Sequence, residues 1–328
     1  VRPRQLTALL GKIKRVRLVV VGDPCLDENV YGRAEEVAKE APVIALEAGR
    51  PVYAPGQATN VAANAAALGA TVSFMGVAGA DEKRARLVLL LEEMGVDAAG
   101  LVAERGRVTT HKMKFVGRES QRHTQHIFHA YWQERRSPTR ATMRALRAAA
   151  ARALDNADAV VLSDYGNGSI TSSFTGWFIG ESRRRGVVSA ANARGDVRAF
   201  RGLTLVVANV EELTRLAGRR AVRSGDMTAA MEVAARKLAA RYVVITAGEE
   251  GMFVWPVRGR ARHIHSAARE VVDVTGGGDT VTAALAVALG AGAGLGVAAA
   301  FANLAAAAVV SREGTAIARA KDLIAYSI

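Results

Sequence analysis

Six short apolar runs recur along the chain with helical stretches between them: RLVVVGD, ATVSFMGVAG, ADAVVLSDYG, GVVSAAN, LTLVVANVEE and YVVITAGEEG. Several end in Gly, Asp, Asn or Ser, residues that turn a strand into a following loop or helix. ATMRALRAAAARAL and TAAMEVAARKLAAR are among the helical intervals. A strand, a helix and a second strand in succession bring the second strand back parallel to the first. The alternation therefore predicts an α/β fold, a mostly parallel sheet with helices on both faces. Ligands in such sheets bind beyond the carboxyl ends of the strands. With 328 residues, half of them hydrophobic, the chain can bury a core for one large domain of this kind.

Two segments break the rhythm. VIALEAGRPVYA (43–54) and THKMKFVGRESQRHTQHIFHAYW (110–132) read as strands with no helix between them. They predict a small β lid, inserted at about residues 28–58 and 107–135 of a single domain spanning 1–328. No internal repeat and no Ser/Pro-rich linker divides the chain.

The single cysteine, Cys25, excludes an intrachain disulfide framework and a thiolate zinc cluster, and it fits a reducing, cytoplasmic compartment. The basic N-terminus lacks an apolar core ending in a small-residue cleavage site, so it reads as a short helix before the first strand. Residues 280–311 carry no charge, but they are mostly Ala, with Gly at 290, 292, 294 and 296 and with Asn303 in the second half. Two small-residue helices packed inside a soluble protein are expected there, not a membrane span. The net charge of +13 suits nucleic acid, a membrane surface or phosphorylated ligands. The basic clusters are scattered, however, and aromatics make up only 5%. That reads as a solvated Arg-rich surface with no nucleic-acid or membrane partner.

The most demanding stretch is VVDVTGGGDT, residues 271–280, followed by the helix-forming TVTAALAVALG. Gly276, Gly277 and Gly278 thus fall at a helix N-terminus, where unpaired N–H groups and the helix dipole favour an anion. Glycine lets phosphate oxygens approach without a Cβ in the way. A carboxylate at Asp279 would repel phosphate, yet it suits a base that must lie beside a transferring group. On the residues alone, a capping aspartate and a base stay equally open. No Lys-Ser/Thr follows the glycines, so this is not a P-loop.

DVTGGGD resembles the C-terminal signature of the ribokinase-like, or phosphofructokinase B, carbohydrate kinases, and further motifs match in order over nearly the whole chain. The resemblance implies an ATP-dependent sugar kinase with Mg²⁺, with Asp279 as base and Gly276, Gly277 and Gly278 as the anion hole. VVVGDPCLDENVYG places Asp27 where an aspartate binds sugar hydroxyls. APGQATNVAANAAALGA places Gly56, Gln57 and Asn60 in the sugar-binding glycine motif. NVEE supplies Asn209 and Glu212, the pattern that organises Mg²⁺ largely through water. TAGEEGM resembles the nucleotide-side loop through Thr246, Gly248 and Gly251, and Asn303 lies where the family contacts the adenine region. GDPCLD, EAPV, SDYGNG, ARG (193–195) and DVTGGGDT are most similar to kinases of D-glycero-D-manno-heptose 7-phosphate, which phosphorylate O1. Some of those carry a C-terminal nucleotidyltransferase, and here a kinase module alone is expected. Lid strands in this family often pair between subunits, which implies a homodimer.

Departures fall on the acceptor side. The family has two glycines after Pro55 where this chain has Gly56 and Gln57. Heptose kinases carry an Arg-x-Asp pair that HIFHAYW lacks. Asn192 replaces an aspartate, followed by Ala193 and Arg194 in place of proline and lysine. These changes point to a related or modified sugar, another sugar or nucleoside, or a lapsed kinase that only binds. Lys112, Lys114 and Arg122 are candidates for contact with a substrate phosphate. His123, His126 and His129 sit three apart, and in a regular strand such residues alternate in face and do not converge on a metal. Cys25 reads as a buried filler, and Asp164 and Asp273 as turn-shaping residues.

Overall fold

The computed structural model describes residues 2–119, 123–193, 197–218, 224–256 and 260–326. The strands, in chain order, are β1 (Arg17–Gly22), β2 (Pro24–Val37), β3 (Ile44–Ala48), β4 (Val52–Gln57), β5 (Thr71–Gly79), β6 (Val96–Glu104) and β7 (His111–Glu119). They continue as β8 (His123–Trp132), β9 (Ala159–Asp164), β10 (Val188–Ala193), β11 (Leu205–Asn209), β12 (Tyr242–Thr246), β13 (Met252–Pro256) and β14 (Arg262–Ile264). The helices are α1 (Pro3–Ile13), α2 (Ala58–Ala67), α3 (Glu82–Glu93), α4 (Arg140–Leu154) and α5 (Ser172–Arg184). After them come α6 (Val210–Ala217), α7 (Met227–Leu238), α8 (Gly277–Gly290), α9 (Leu295–Val310) and α10 (Ala320–Tyr326).

The large sheet runs β14-β13-β12-β11-β10-β9-β1-β5-β6. It is parallel from β12 to β6, with β13 and β14 added antiparallel at one edge. Successive side chains of a strand feed opposite faces. Leu18 and Val20 join a core with α1, α2, α8 and α9, while Val19 and Val21 join a second core with α4, α5 and α7. The six apolar runs form β1, β5 and β9 to β12, as the alternation predicts. The uncharged 280–311 stretch forms most of the paired helices α8 and α9, whose alanines allow close packing against the sheet. Among the described residues no helix is long and apolar enough to cross a membrane.

A second sheet, ordered β3-β2-β7-β8 with β4 also on β2, rises from the carboxyl end of β1. Its root is an ionic knot. The Glu28 carboxylate accepts from Lys83 Nζ at 2.9 Å and meets His111 Nε2 at 2.7 Å, and His111 stacks on Trp132 with centroids 5.0 Å apart. Burial pushes the Glu28 carboxyl up, but bonds from Lys83 and His111 outweigh it and leave it below its usual value. Burial and the Lys83 charge lower His111 despite Glu28. Both folded values are depressed, so each contribution is present above the unfolded pKa and is lost as pH falls through the folded one. Thermal unfolding followed from pH 7 to pH 4 should show a falling Tm. In Glu28→Gln, Tm at pH 7 should drop and the acid slope should flatten.

Candidate functional site

Two clefts meet at the N-terminus of α8. One, of about 160 Å³, lies between the lid and the helix and is lined by Asp27, Gly56, Gln57, Asn60, Lys112, Lys114, Tyr165, Gly276, Asp279 and Thr315, among others. The other, of about 310 Å³, lies against α9 and the β12–β13 turn; its lining includes Asn209, Thr246, Gly248, Gly251, Gly277 and Asn303. Gly278 and Val274 belong to both. The first turn of α8 therefore sits at the junction, where a helix leaves N–H groups without internal partners; Gly277 N is an exception to the expected anion hole, since it donates to Val274 O at 3.2 Å.

Local chemistry places these parts. Gly276 is left-handed at φ +80°, and a Cβ there would come within 2.8 Å of Asn60 Nδ2. Only glycine allows that close turn. Asp273 shapes its approach by accepting from Thr275 N at 2.8 Å and from Gly314 N at 3.0 Å. Asp279, 6% exposed, receives Asn60 Nδ2 on Oδ2 at 3.2 Å and Asn192 Nδ2 on Oδ1 at 3.1 Å. The Tyr165 hydroxyl also donates to Oδ1. Asn192 thus touches the carboxylate itself and is not among the residues lining the lid-side cleft.

In that cleft Asp27 Oδ2 accepts from Lys114 Nζ at 2.9 Å and from Thr315 Oγ1 at 3.2 Å. A Cβ on Gly56 would lie 2.4 Å from Asp27 Oδ1, so the glycine is what leaves room for the carboxylate. The Cys25 thiol, fully buried, points at Asp27 Oδ1 from 3.5 Å. Burial, and then the Asp27 charge, push its pKa well up, which makes it a poor nucleophile. Gln57 holds φ +51°, a conformation a glycine adopts freely, and its Oε1 accepts from Asn167 Nδ2 at 2.9 Å.

In the second cleft, Asn303 Nδ2 donates to His265 O at 2.8 Å, fixing the wall formed by residues 265–267. Thr246 Oγ1 reaches Ala208 O at 3.4 Å. Asn209 and Glu212 form a reciprocal cap of α6: Glu212 N to Asn209 Oδ1 at 2.7 Å, and Asn209 N to Glu212 Oε2 at 2.8 Å. Asn209 lines the cleft, with the buried Glu212 carboxylate directly behind it. One carboxylate and one carboxamide suit a hard cation that keeps most of its waters and takes further oxygens from phosphate. Among the described residues no group of three or more His, Cys, Asp and Glu could hold a metal by itself.

Several contributors have roles that their sequence motifs do not state. Asp23, fully buried, accepts the N–H groups of Tyr165, Asn167 and Ser169 at 2.7, 3.1 and 2.9 Å. Buried Arg107 grips the carbonyls of Arg136 and Gly168, each at 2.9 Å. Together they fasten the loop after β9 so that Tyr165 reaches Asp279. SDYGNG marks this loop in the sequence, but the role of Tyr165 depends on a contact 114 residues away. Asp164 turns the loop through its bond from Gly166 N at 2.8 Å.

The histidine expectation is corrected. His126 Nδ1 and His129 Nε2 lie 2.9 Å apart, and His129 Nδ1 lies 3.1 Å from the Tyr131 hydroxyl. The register shifts between Phe115 and Val116, so that Lys114 pairs with His129 while Val116 pairs with His126. This bulge breaks the period of two and brings both rings to one face. Arg122 and Arg194 lie outside the described residues.

The family model described as pfkB family carbohydrate kinase matches residues 17–322. The chain is 35% identical over 317 residues to the bifunctional protein HldE of Azorhizobium caulinodans, covering 96% of this chain and 65% of that protein. It therefore spans just under two thirds of the length of that relative. It is also 35% identical over 319 residues to the D-beta-D-heptose 7-phosphate kinase of Bordetella bronchiseptica, covering 96% of this chain and 97% of that one. In fold it is similar to the Arabidopsis thaliana ribokinase solved with ribose and ATP. The TM-score is 0.73 at 22% identity, over 95% of this chain and 99% of that one.

Proposed function

The chain belongs to the pfkB family of carbohydrate kinases, with a ribokinase-like α/β fold, and from that premise we propose that it transfers the γ-phosphate of ATP to O1 of D-glycero-D-manno-heptose 7-phosphate or a closely related heptose. The observation that carries the reading is the junction of the two clefts, with the Asp279 carboxylate at the end of the lid-side cleft and the glycine turn between them. The likeness to a heptose 7-phosphate kinase over nearly all of both chains supports the choice of sugar.

In this mechanism Asp27, aligned by Lys114 and Thr315, accepts hydroxyls of the sugar. The attacking hydroxyl gives its proton to Asp279, whose carboxylate is aimed by Asn60, Asn192 and Tyr165. The N–H group of Gly278 offsets charge that develops on the moving phosphoryl group, while Gly277 N is held by Val274 O at 3.2 Å and keeps the turn in shape. ATP takes the cleft of Asn209, Thr246, Gly248, Gly251 and Asn303. Mg²⁺ is assigned to Asn209 and Glu212, largely through water, where it would neutralise phosphate charge. An aspartate at position 192 would set a second carboxylate against Asp279, which the asparagine amide avoids.

A single kinase domain carrying a β lid, working as a cytoplasmic homodimer, completes the reading. Phe128 and Trp132, exposed on the lid face turned away from the cleft, support the subunit contact. The test is a screen of ADP release over free sugars, sugar phosphates and nucleosides, seven-carbon sugars included. Turnover should be highest with D-glycero-D-manno-heptose 7-phosphate. A better nucleoside or hexose acceptor would replace the assignment, and binding without turnover on any acceptor would make this a lapsed kinase.

A further inference from the structure

Cross-strand partners share a face, and the lid pairs Asp27 with Lys112, Lys112 with Tyr131, and Lys114 with His129. Asp27, Lys112 and Lys114 line the acceptor cleft, so this face is the lid's inner one. The bulge adds His126 to it. The result is a continuous polar strip, Lys112–Tyr131–His129–His126, leading outward from the cleft. Its rings are joined by the His126–His129 and His129–Tyr131 hydrogen bonds, and the Lys112 ammonium stands 5.9 Å from the Tyr131 ring centroid.

Charge along the strip is unbalanced. Lys114 is matched by Asp27 at 2.9 Å, whereas no carboxylate among the described residues pairs with Lys112. His129 senses the excess: burial, then His126, Lys114 and Lys112, lower its pKa. A cation with no carboxylate partner among the described residues, on one face with an imidazole pair that leaves His126 Nε2 to donate, makes a receptor for an anion that enters with the acceptor.

We propose that Lys112, His126 and His129 form a subsite for a phosphomonoester carried by the acceptor sugar, distal to the hydroxyl that is phosphorylated. This rests on the acceptor cleft assigned above and supplies its specificity for a sugar that already bears phosphate. Lys112 gives the fixed charge. His126, oriented through His129 and Tyr131, gives a directed N–H donor.

D-glycero-D-manno-heptose 7-phosphate and the unphosphorylated heptose serve as paired acceptors. Wild type should favour the phosphorylated sugar in kcat/KM by about 100-fold, and Lys112→Met and the double variant His126→Gln/His129→Gln should each cut that ratio by about tenfold. An unchanged ratio in both variants would overturn the subsite, as would a wild type that prefers the free sugar. A second arm does not depend on turnover. With a non-hydrolysable ATP analogue filling the nucleotide cleft, inorganic phosphate is titrated calorimetrically. Wild type should bind it, and the double histidine variant should bind about tenfold more weakly. Absence of binding by wild type, or equal binding by the variant, would overturn the subsite whatever the sugar. Turnover of neither heptose, with phosphate binding intact, would count against the heptose assignment alone. Unfolding curves that overlay wild type confirm that the variants fold.

Discussion

Asp279→Asn is expected to lower kcat by about 10²- to 10⁴-fold, the usual worth of a general base, while leaving ATP affinity within about threefold. The carboxylate takes donors from Asn60, Asn192 and Tyr165, and all of them suit two oxygens. An asparagine at this place offers one oxygen and one NH₂, so an amide hydrogen must oppose at least one donor. The variant therefore loses both the proton acceptor and the alignment of the first turn of α8. The ATP cleft draws mainly on Asn209, Thr246, Gly248, Gly251 and Asn303 and keeps its shape. Steady-state ADP release together with equilibrium titration of ATP reads both effects. Activity within tenfold of wild type would remove Asp279 from the chemistry.

Asp27→Ala carries the second largest expectation, because one carboxylate serves both the acceptor and the fold. It is buried and is bonded by Lys114 and Thr315, with the Cys25 thiol beside it. Removing it strands the Lys114 ammonium in a site only 10% exposed. Breaking a buried pair from one side costs about 3–5 kcal/mol, and the missing sugar contact adds a fall of about 10²- to 10³-fold in kcat/KM for the acceptor. The loss should appear mainly as a raised acceptor KM, with a lower Tm in the unliganded protein. Asp27→Asn, which keeps the shape and drops the charge, should recover part of the stability and little of the acceptor affinity. An acceptor KM unchanged in both variants would place the sugar elsewhere.

The sequence carries the frame of the large sheet because each of β1, β5 and β9 to β12 is a compact apolar run followed by turn chemistry. Three strands of the same sheet escape that reading. β6 (VDAAGLVAE) is an edge strand of Ala and Gly broken by polar residues, so it does not stand out as an apolar run. β13 and β14 return antiparallel through the tight GEEG turn and carry no helix before them to announce a parallel unit. The lid strands are visible as strands, but their faces are not, since one bulge turns the histidine pattern inside out.

The site divides the same way. Gly276, Gly277, Gly278, Asp279, Asn60 and Asp27 stand in short motifs whose residue types state their chemistry, and the fold gathers them around one junction. Asp23 and Tyr165 fall within GDPCLD and SDYGNG, but they, Arg107 and Thr315 act through backbone groups or through partners far along the chain, so no local pattern states their roles. Gln57 looks in sequence like a filled sugar pocket. In the structure its amide bonds to Asn167 while its backbone keeps the left-handed turn that a glycine would take.

Transfer to O1 with Asp279 as base is tested by phosphorus NMR of the product formed from ATP, Mg²⁺ and D-glycero-D-manno-heptose 7-phosphate, with Asp279→Asn as the blank. A second sugar phosphate resonance coupled to the anomeric proton should grow with ADP in wild type and be missing from the blank. A phosphate on any other carbon, or the same product formed at an equal rate by Asp279→Asn, would contradict it.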